Sequence, residues 1–156
     1  MKEIIENKIH YLYPSNLIVK KNEGKVLTVL GSCVSVCLID LVNKIGGINH
    51  FMLPYWNGVG LASPKYGNIA IEKLIGEMIK MGAKKENIKA KVFGGANQTN
   101  STLNIGLRNC EVAFELLNKF NIKVVSKSVG GEVGRKIVFD IITGEVRMKY
   151  VGNTKE

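Results

Sequence analysis

Residues 31–54 read GSCVSVCLIDLVNKIGGINHFMLP and carry the clearest structural signal in the chain. They contain two apolar runs rich in β-branched residues, Val34–Asp40 and Ile45–Met52, with the connection Leu41–Lys44 between them. Two such runs joined by a short connection predict an antiparallel hairpin. With a turn of two or four residues, the numbers of directly opposed residues sum to 85. Position 35 then lies opposite His50.

Cys33 and His50 fall on one face of this hairpin, because side chains along a strand alternate with a period of two. The two positions are diagonal neighbours, whose Cα atoms lie roughly 7–8 Å apart and whose side chains can meet. A thiol in contact with an imidazole is the arrangement that nucleophilic catalysis requires. Two plainer interpretations stay open, namely Cys33 as a small buried hydrophobe and His50 as a hydrogen-bonded core histidine. A one-residue bulge would also break the pairing.

Gly31 and Ser32 precede the cysteine and favour the catalytic interpretation. Small residues at this point let a substrate approach closely and leave backbone N–H groups free to bind an oxyanion. A thiol activated by an imidazolium is expected to titrate below the roughly 8.5 of a free cysteine. Cys37 and Cys110 are interpreted as core residues. Cys37 lies four residues along the strand from Cys33, about 13 Å, which is too far for a disulfide.

Outside the hairpin, the pattern predicts short strands and two long helices. Helical spacing of apolar residues predicts a helix over Asn68–Met81, with Gly82 as its left-handed cap. A second helix is predicted over Leu107–Phe120, with Asn104 as its N-cap. The other predicted strands are Leu17–Lys20, Val26–Leu30, Lys89–Phe93, Ile122–Ser126, Lys136–Ile142 and Glu145–Tyr150, the last two joined by a tight turn at Thr143-Gly144. These elements indicate an α+β or layered α/β fold with a mixed, largely antiparallel sheet.

Composition bounds the function of the chain. Its 156 residues, 46% of them apolar, suffice for one core, and without repeats or linkers we expect a single domain over residues 1–156. The net charge of +9 is carried mostly by lysine, which suits solubility and long-range attraction, so nucleic-acid binding is disfavoured. No run is apolar enough for a membrane span, and the N-terminus MKEIIENK lacks the apolar core of a secretory signal. We therefore expect a cytoplasmic protein.

Motifs for metals and cofactors are missing from the sequence. It has no Cys-x-x-Cys pair and no His-Glu-x-x-His, and three cysteines do not suggest a disulfide scaffold. The glycine-rich string at 57–60 lacks the later glycine and the helix start of a phosphate loop. Asp40 lies roughly 23 Å along the extended strand from Cys33, too far to assist it. We expect neither a metal nor a cofactor.

Six motifs, in order over nearly the whole chain, resemble one known family, the chemoreceptor glutamine deamidases called CheD. The motifs are HYLYPSNLIV, GSCVSVCLID, the histidine in GGINHFMLP, KVFGGAN, NIGLRN and VGGEVGRKIVFDIITGEV. The resemblance implies a Cys-His-Thr hydrolase with a layered α/β fold similar to that of the deamidating bacterial toxins. Cys33 and His50 match the nucleophile and the base. The family's threonine precedes the glycine-serine-cysteine turn and matches Thr28, whose alternative is an ordinary β-branched strand residue.

The resemblance also implies substrate and partners. The implied reaction is hydrolysis of specific glutamine side chains on chemoreceptor cytoplasmic helices to glutamate, and the same apparatus is compatible with hydrolysis of glutamate methyl esters. The main alternative is an adaptor that binds a chemotaxis phosphatase of the CheC type and works without turnover. A general cysteine hydrolase of small amides is a third hypothesis.

The stretch Tyr55–Lys65 follows the His50 strand and is expected to border the active-site cleft. Trp56 is then an aromatic anchor for a receptor helix, since such anchors commonly dominate interfaces. The alternative is an ordinary surface loop with Trp56 in the core.

Overall fold

The computed structural model describes residues 8–151, so the secretory-signal expectation falls almost wholly outside the described residues, and a single domain over 1–156 stays a prediction. The α-helices are α1 (Gly67–Met81) and α2 (Ile105–Lys119), and a short 3-10 helix spans Lys85–Asn87. The strands are β1 (Ile9–Tyr11), β2 (Leu17–Lys21), β3 (Lys25–Leu30), β4 (Val34–Asp40), β5 (Ile45–Asn49), β6 (Lys89–Gly94), β7 (Lys123–Val129), β8 (Gly134–Asp140) and β9 (Val146–Val151). Within this range, no helix is long and apolar enough to cross a membrane.

The strands form two sheets. The four-stranded sheet has the order β1-β3-β8-β9, and the five-stranded sheet has the order β2-β5-β4-β6-β7. The pairs β1–β3 and β6–β7 are parallel, and the other pairs are antiparallel. The predicted α+β fold, mixed and largely antiparallel with two long helices, is therefore confirmed. The strands are divided between two sheets rather than placed in one.

The helices and the two sheets are stacked in three layers. Both helices pack on one face of the five-stranded sheet, in a core that includes Leu38, Leu74 and Leu117. The opposite face packs against the four-stranded sheet through a second core that includes Ile48 and Phe139. The five-stranded sheet is thus covered on both faces, and β4 is buried along its whole length. This explains why β4 is an almost continuous apolar run in the sequence.

β4 and β5 form the expected hairpin, with the connection at 41–44. Asp40 pairs with Ile45, so the opposed residue numbers sum to 85, as predicted. Val34 and Phe51 keep the same register beyond the end of β5. The pairing that the sequence predicts is therefore confirmed at both ends of the hairpin.

The helix boundaries follow from their caps. α1 ends where Gly82 adopts a φ of 119°, a left-handed conformation that glycine tolerates, and its N–H donates to the Ile79 carbonyl. α2 begins after Asn104, whose side chain accepts a hydrogen bond from the Leu107 N–H at 3.0 Å. Both predicted caps are confirmed. Leu107, which helical spacing places on the apolar face, is half exposed.

The last hairpin has a longer turn than the sequence predicts. β8 ends at Asp140, and residues 141–145 connect it to β9. The Asp140 carboxylate accepts hydrogen bonds from the N–H groups of Ile142 and Thr143, at 2.9 and 3.3 Å, which turns the chain out of the ladder. The predicted tight turn at Thr143-Gly144 and the predicted strand end at Ile142 are therefore wrong.

Candidate active site

The open end of the β4–β5 hairpin holds Cys33 and His50. Val34 and Phe51 are directly paired there, with both backbone hydrogen bonds formed at 3.1 and 3.0 Å. Cys33 and His50 flank this pair, and Cys33 packs against the core between the two sheets. His50 is buried, whereas Cys33 is only partly buried. The thiol therefore lies at the edge of the core, where a substrate can reach it.

Thr28, on β3 of the other sheet, contacts His50. Its Oγ1 lies 2.7 Å from His50 Nδ1 and 2.8 Å from the carbonyl oxygen of Leu12. A hydroxyl has one proton to donate, and a carbonyl can only accept. Thr28 therefore donates to Leu12 and accepts from His50 Nδ1–H. This network assigns the tautomer of the neutral imidazole and leaves the lone pair on Nε2.

The HYLYPSNLIV segment holds the histidine in place. The N–H of Leu12 donates to the Leu27 carbonyl at 2.9 Å, which fixes the carbonyl that Thr28 uses. The N–H of Ser15 donates to the His50 carbonyl at 2.8 Å, and the N–H of His50 donates to the Asn16 carbonyl at 3.1 Å. Both backbone groups of the histidine are thus satisfied by this one segment.

Burial sets the protonation states of the pair. It lowers the pKa of His50 to about 4 and raises the pKa of Cys33, because desolvation penalises the charged form of each group. Near pH 7 the resting site therefore holds a neutral imidazole and a neutral thiol. The expectation of a depressed thiol pKa is wrong, since desolvation outweighs the hydrogen bond from the cysteine's own N–H. The imidazole is present as a base rather than as an imidazolium.

The turn before β4 is held through its carbonyl groups. The Gly31 carbonyl accepts a hydrogen bond from the Ala96 N–H at 2.9 Å. The Cys33 carbonyl accepts one from the Gly95 N–H, also at 2.9 Å. The N–H groups of Ser32 and Cys33 donate to no other residue within 8–151. They are therefore available to bind a negatively charged oxygen.

Asn109, on α2, also contacts this turn, and the sequence reasoning assigned it no role. Its Nδ2 donates to the carbonyls of Ser32 and Met52, at 2.9 and 3.0 Å. The side chain is fully buried. Asparagine is not favoured inside helices, so its place among the buried residues of a predicted helix was the signal that could have identified it.

The other candidate groups lie away from the site. Cys37 is buried between the sheets, and Cys110 is buried against the helices, where burial raises its pKa to about 11. Their interpretation as core residues is confirmed. Asp40, at the far end of β4, accepts hydrogen bonds from the N–H groups of Asn43 and Lys84. In the described part of the chain, no three His, Cys, Asp or Glu side chains are grouped as a metal ion would need.

The segment Tyr55–Lys65 lies beside α2. The Tyr55 hydroxyl donates to the carboxylate of Glu115 on that helix. Trp56 is half-buried, belongs to neither core, and donates from Nε1 to the Val59 carbonyl at 3.1 Å. The alternative of a core tryptophan is therefore wrong, and a role for Trp56 at the cleft stays a prediction.

Comparison with known proteins supports the resemblance seen in the motifs. The family model described as CheD chemotactic sensory transduction matches residues 52–150. A Trichlorobacter lovleyi protein named "Probable chemoreceptor glutamine deamidase CheD" is 49% identical over 140 residues, which cover 88% of this chain and 87% of that protein. The chain belongs to the CheD family. A further CheD relative, the "Chemoreceptor glutamine deamidase CheD" of Thermotoga maritima, is 40% identical over 140 residues, which cover 88% of this chain and 89% of that protein.

A solved structure outside the CheD family shares the fold. The crystal structure of a Neisseria meningitidis protein of the DUF152 family matches with a TM-score of 0.55. The match covers 85% of this chain and 69% of that protein, at 10% sequence identity. At this identity, the likeness shows the layered fold alone.

Proposed function

We propose that this CheD family member is a cysteine-dependent amidohydrolase that converts specific glutamine side chains of chemoreceptors into glutamates. The observation that carries the proposal is the 2.7 Å hydrogen bond between Thr28 Oγ1 and His50 Nδ1. It orients a neutral imidazole on the face of the hairpin that also carries the partly buried Cys33. The names of the relatives refer to the same reaction. Cytoplasmic receptor helices as substrates imply that the protein acts in the cytoplasm.

In the first half-reaction, Cys33 is the nucleophile and His50 the general base. Nε2 takes the thiol proton while the sulfur attacks the carboxamide carbon, and the carbonyl oxygen becomes an oxyanion. The N–H groups of Ser32 and Cys33 bind this oxygen, and each such donor contributes about 3 kcal/mol of transition-state stabilisation. Gly31 has no side chain, which leaves room for the Gln98 carboxamide to lie against the turn. The imidazolium then protonates the nitrogen, the C–N bond breaks, ammonia leaves and a thioester remains.

In the second half-reaction, water replaces ammonia. His50 takes a proton from the water as its oxygen attacks the thioester carbon, and the same N–H groups bind the oxyanion. The C–S bond then breaks, the Cys33 sulfur regains a proton from the imidazolium, and a glutamate side chain is released. A glutamate methyl ester follows the same route with methanol as the leaving group.

The proposed substrate is a folded receptor helix rather than a free amide. The net charge of +9 favours attraction to acidic receptor helices, although screening at physiological salt limits its range to about 8 Å. Exposed apolar side chains of Leu61, Leu103 and Leu107, in the loop after the His50 strand and at the start of α2, offer local contacts. Specificity is therefore expected to come from contacts around the cleft, with Trp56 among them.

Ammonia release from a receptor cytoplasmic fragment, measured beside release from free glutamine, tests this function. We expect kcat/KM for the fragment to exceed that for glutamine by at least about 100-fold, because remote contacts supply binding energy. The value for the fragment should fall as salt rises, and Trp56→Ala should raise KM more than it lowers kcat. Equal hydrolysis of free glutamine without salt dependence would favour the small-amide hydrolase instead.

Thr28→Val should lower kcat by about 10- to 100-fold with little change in KM, because the imidazole loses the acceptor that fixes its tautomer. Valine has the shape of threonine, so packing between the sheets is kept. Thr28→Ser retains the hydroxyl and should keep most of the activity. Steady-state kinetics on the receptor fragment measure both variants, and a Thr28→Val variant with wild-type kcat would remove Thr28 from the mechanism.

The pH dependence of the reaction should follow the pKa of His50. Protonation removes the base, and burial lowers this pKa to about 4, so activity persists as the pH falls through 6.5 and is lost only as it approaches 4. A histidine with an unperturbed pKa would lose half of its base form near about 6.5. The kcat/KM of the receptor fragment between pH 4 and 8 measures this, with circular dichroism at each pH as the control. Half-maximal activity near pH 6.5 would contradict the assignment.

A phosphatase of the CheC type is a proposed partner, and it is proposed to bind the surface around the active-site cleft. Binding needs the surface around the cleft but not the thiol, so Cys33→Ala should bind the phosphatase with wild-type affinity while losing turnover. Titration calorimetry with the purified phosphatase separates the adaptor role from catalysis.

A further inference from the structure

Asn109 is placed where a polar side chain costs stability. It is fully buried, and its Oδ1 has no hydrogen-bond partner within residues 8–151. An amide turned the other way would set its oxygen against the carbonyl oxygens of Ser32 and Met52, so the network requires the two N–H donors to face them. The side chain therefore serves these two carbonyls while leaving its own acceptor unsatisfied, which is unfavourable for stability.

The hydrogen bond from Asn109 to the Ser32 carbonyl also determines where the Cys33 N–H points. The Ser32 carbonyl and the Cys33 N–H belong to one planar trans peptide, so they point in opposite directions. α2 covers one face of the five-stranded sheet, and the Cys33 thiol packs against the core on the other face. Holding the carbonyl toward α2 therefore turns the Cys33 N–H toward the thiol.

The Ser32 carbonyl differs from its two neighbours in what holds it. The carbonyls of Gly31 and Cys33 accept from the backbone N–H groups of Ala96 and Gly95, which only a proline substitution would remove. The Ser32 carbonyl accepts from a side chain. Its orientation can therefore be changed by a single substitution at position 109.

We propose that Asn109 is a positioning residue that aims the Cys33 N–H at the oxyanion formed during acyl transfer. It acts through the Ser32 peptide and does not touch the substrate. Its second hydrogen bond, to Met52, ties the chain after His50 to the same amide, so the nucleophile turn and the base strand keep a fixed spacing. This inference rests on the proposed function in one respect, since it assumes that Cys33 is the nucleophile. It does not depend on which substrate the protein deamidates.

Two reactions of the Cys33 thiol, measured side by side, test this. In both reactions His50 takes the thiol proton. With p-nitrophenyl acetate, the sulfur bonds to the acetyl carbon through an oxyanion, and the C–O bond breaks to release p-nitrophenolate. With iodoacetamide, the sulfur bonds to the methylene carbon as the C–I bond breaks, and no oxyanion forms. Asn109→Ala and Asn109→Ser should slow acetylation by about 10- to 100-fold, because an oxyanion donor is misdirected. Alkylation should change by less than about threefold, because it needs no such donor. Val112→Ala, another buried residue of α2, is the matched control and should leave both rates unchanged.

Peptide mass spectrometry assigns each adduct to Cys33, and circular dichroism establishes that the variants are folded. Wild-type acetylation in a folded Asn109 variant would overturn the proposal, and so would an equal loss of both rates, because the whole site would then depend on Asn109. If Asn109→Ala does not fold, Asn109→Ser, which leaves a smaller void, decides the matter. Neither reaction uses a receptor, so failure of the wild-type protein to deamidate one would overturn the proposed function and leave this comparison valid.

Discussion

Cys33→Ala should lower deamidation of a receptor fragment by at least about 1,000-fold, because removing the nucleophile removes the covalent route. The fold should survive. The side chain is only partly buried at the edge of the core, so its truncation leaves little unfilled space. Discontinuous ammonia assays with long incubations measure the residual rate, and thermal melting of the variant establishes that it is folded.

The two other cysteines provide controls for this substitution. Cys110→Ala and Cys37→Ala remove thiols that are buried in the two cores, so each should cost some stability and leave turnover close to the wild-type value at a temperature where the variant is folded. Equal loss of turnover in all three variants, with unchanged circular dichroism, would show that the wrong thiol or the wrong chemistry has been assigned.

His50→Ala should also lower turnover by at least about 1,000-fold, because a neutral thiol with a raised pKa needs a base to become a nucleophile. The same substitution should slow alkylation of Cys33 by iodoacetamide near neutral pH. His50→Gln is the companion variant, since it fills more of the buried site and retains a polar group beside Thr28. Both rates are measured on protein whose fold is established by thermal melting, and alkylation of Cys33 with an unchanged pH profile in either variant would contradict the pair.

The β4–β5 hairpin shows how much of this site the sequence could predict. A short connection and a period of two fix which residues oppose one another, so the register followed from the turn alone. That register places Cys33 and His50 on one face, which is where the structure has them. The placement of Cys33 and His50, which depends on local strand pairing, was therefore predictable from residue spacing.

The contact between Thr28 and His50 could not be predicted from spacing. It joins β3 of the four-stranded sheet to the end of the hairpin in the five-stranded sheet, and the stacking of two sheets has no period in the sequence. Only the resemblance to the CheD family pointed to Thr28. The division of the strands into two sheets was missed for the same reason.

Side-chain hydrogen bonds to the backbone account for the remaining differences. The Asp140 carboxylate ends β8 two residues early by capturing backbone N–H groups, a competition that strand propensity does not describe. Asn109 faces the sheet because its amide serves two carbonyls that are distant in sequence. The raised pKa of Cys33 has a different origin. It comes from burial, which depends on packing rather than on the neighbouring residue types.

The central claim is that Cys33 hydrolyses glutamine side chains of a receptor. It is tested most directly by the mass of a receptor cytoplasmic fragment after incubation with the protein in ¹⁸O-labelled water. Hydrolysis through a thioester replaces the amide nitrogen of a glutamine by one oxygen from the solvent, so each conversion should add about three mass units in labelled water and about one in ordinary water. We expect these increments at defined glutamines with the wild-type protein and none with Cys33→Ala. No mass gain with the wild-type protein, or an equal gain with Cys33→Ala, would contradict the account.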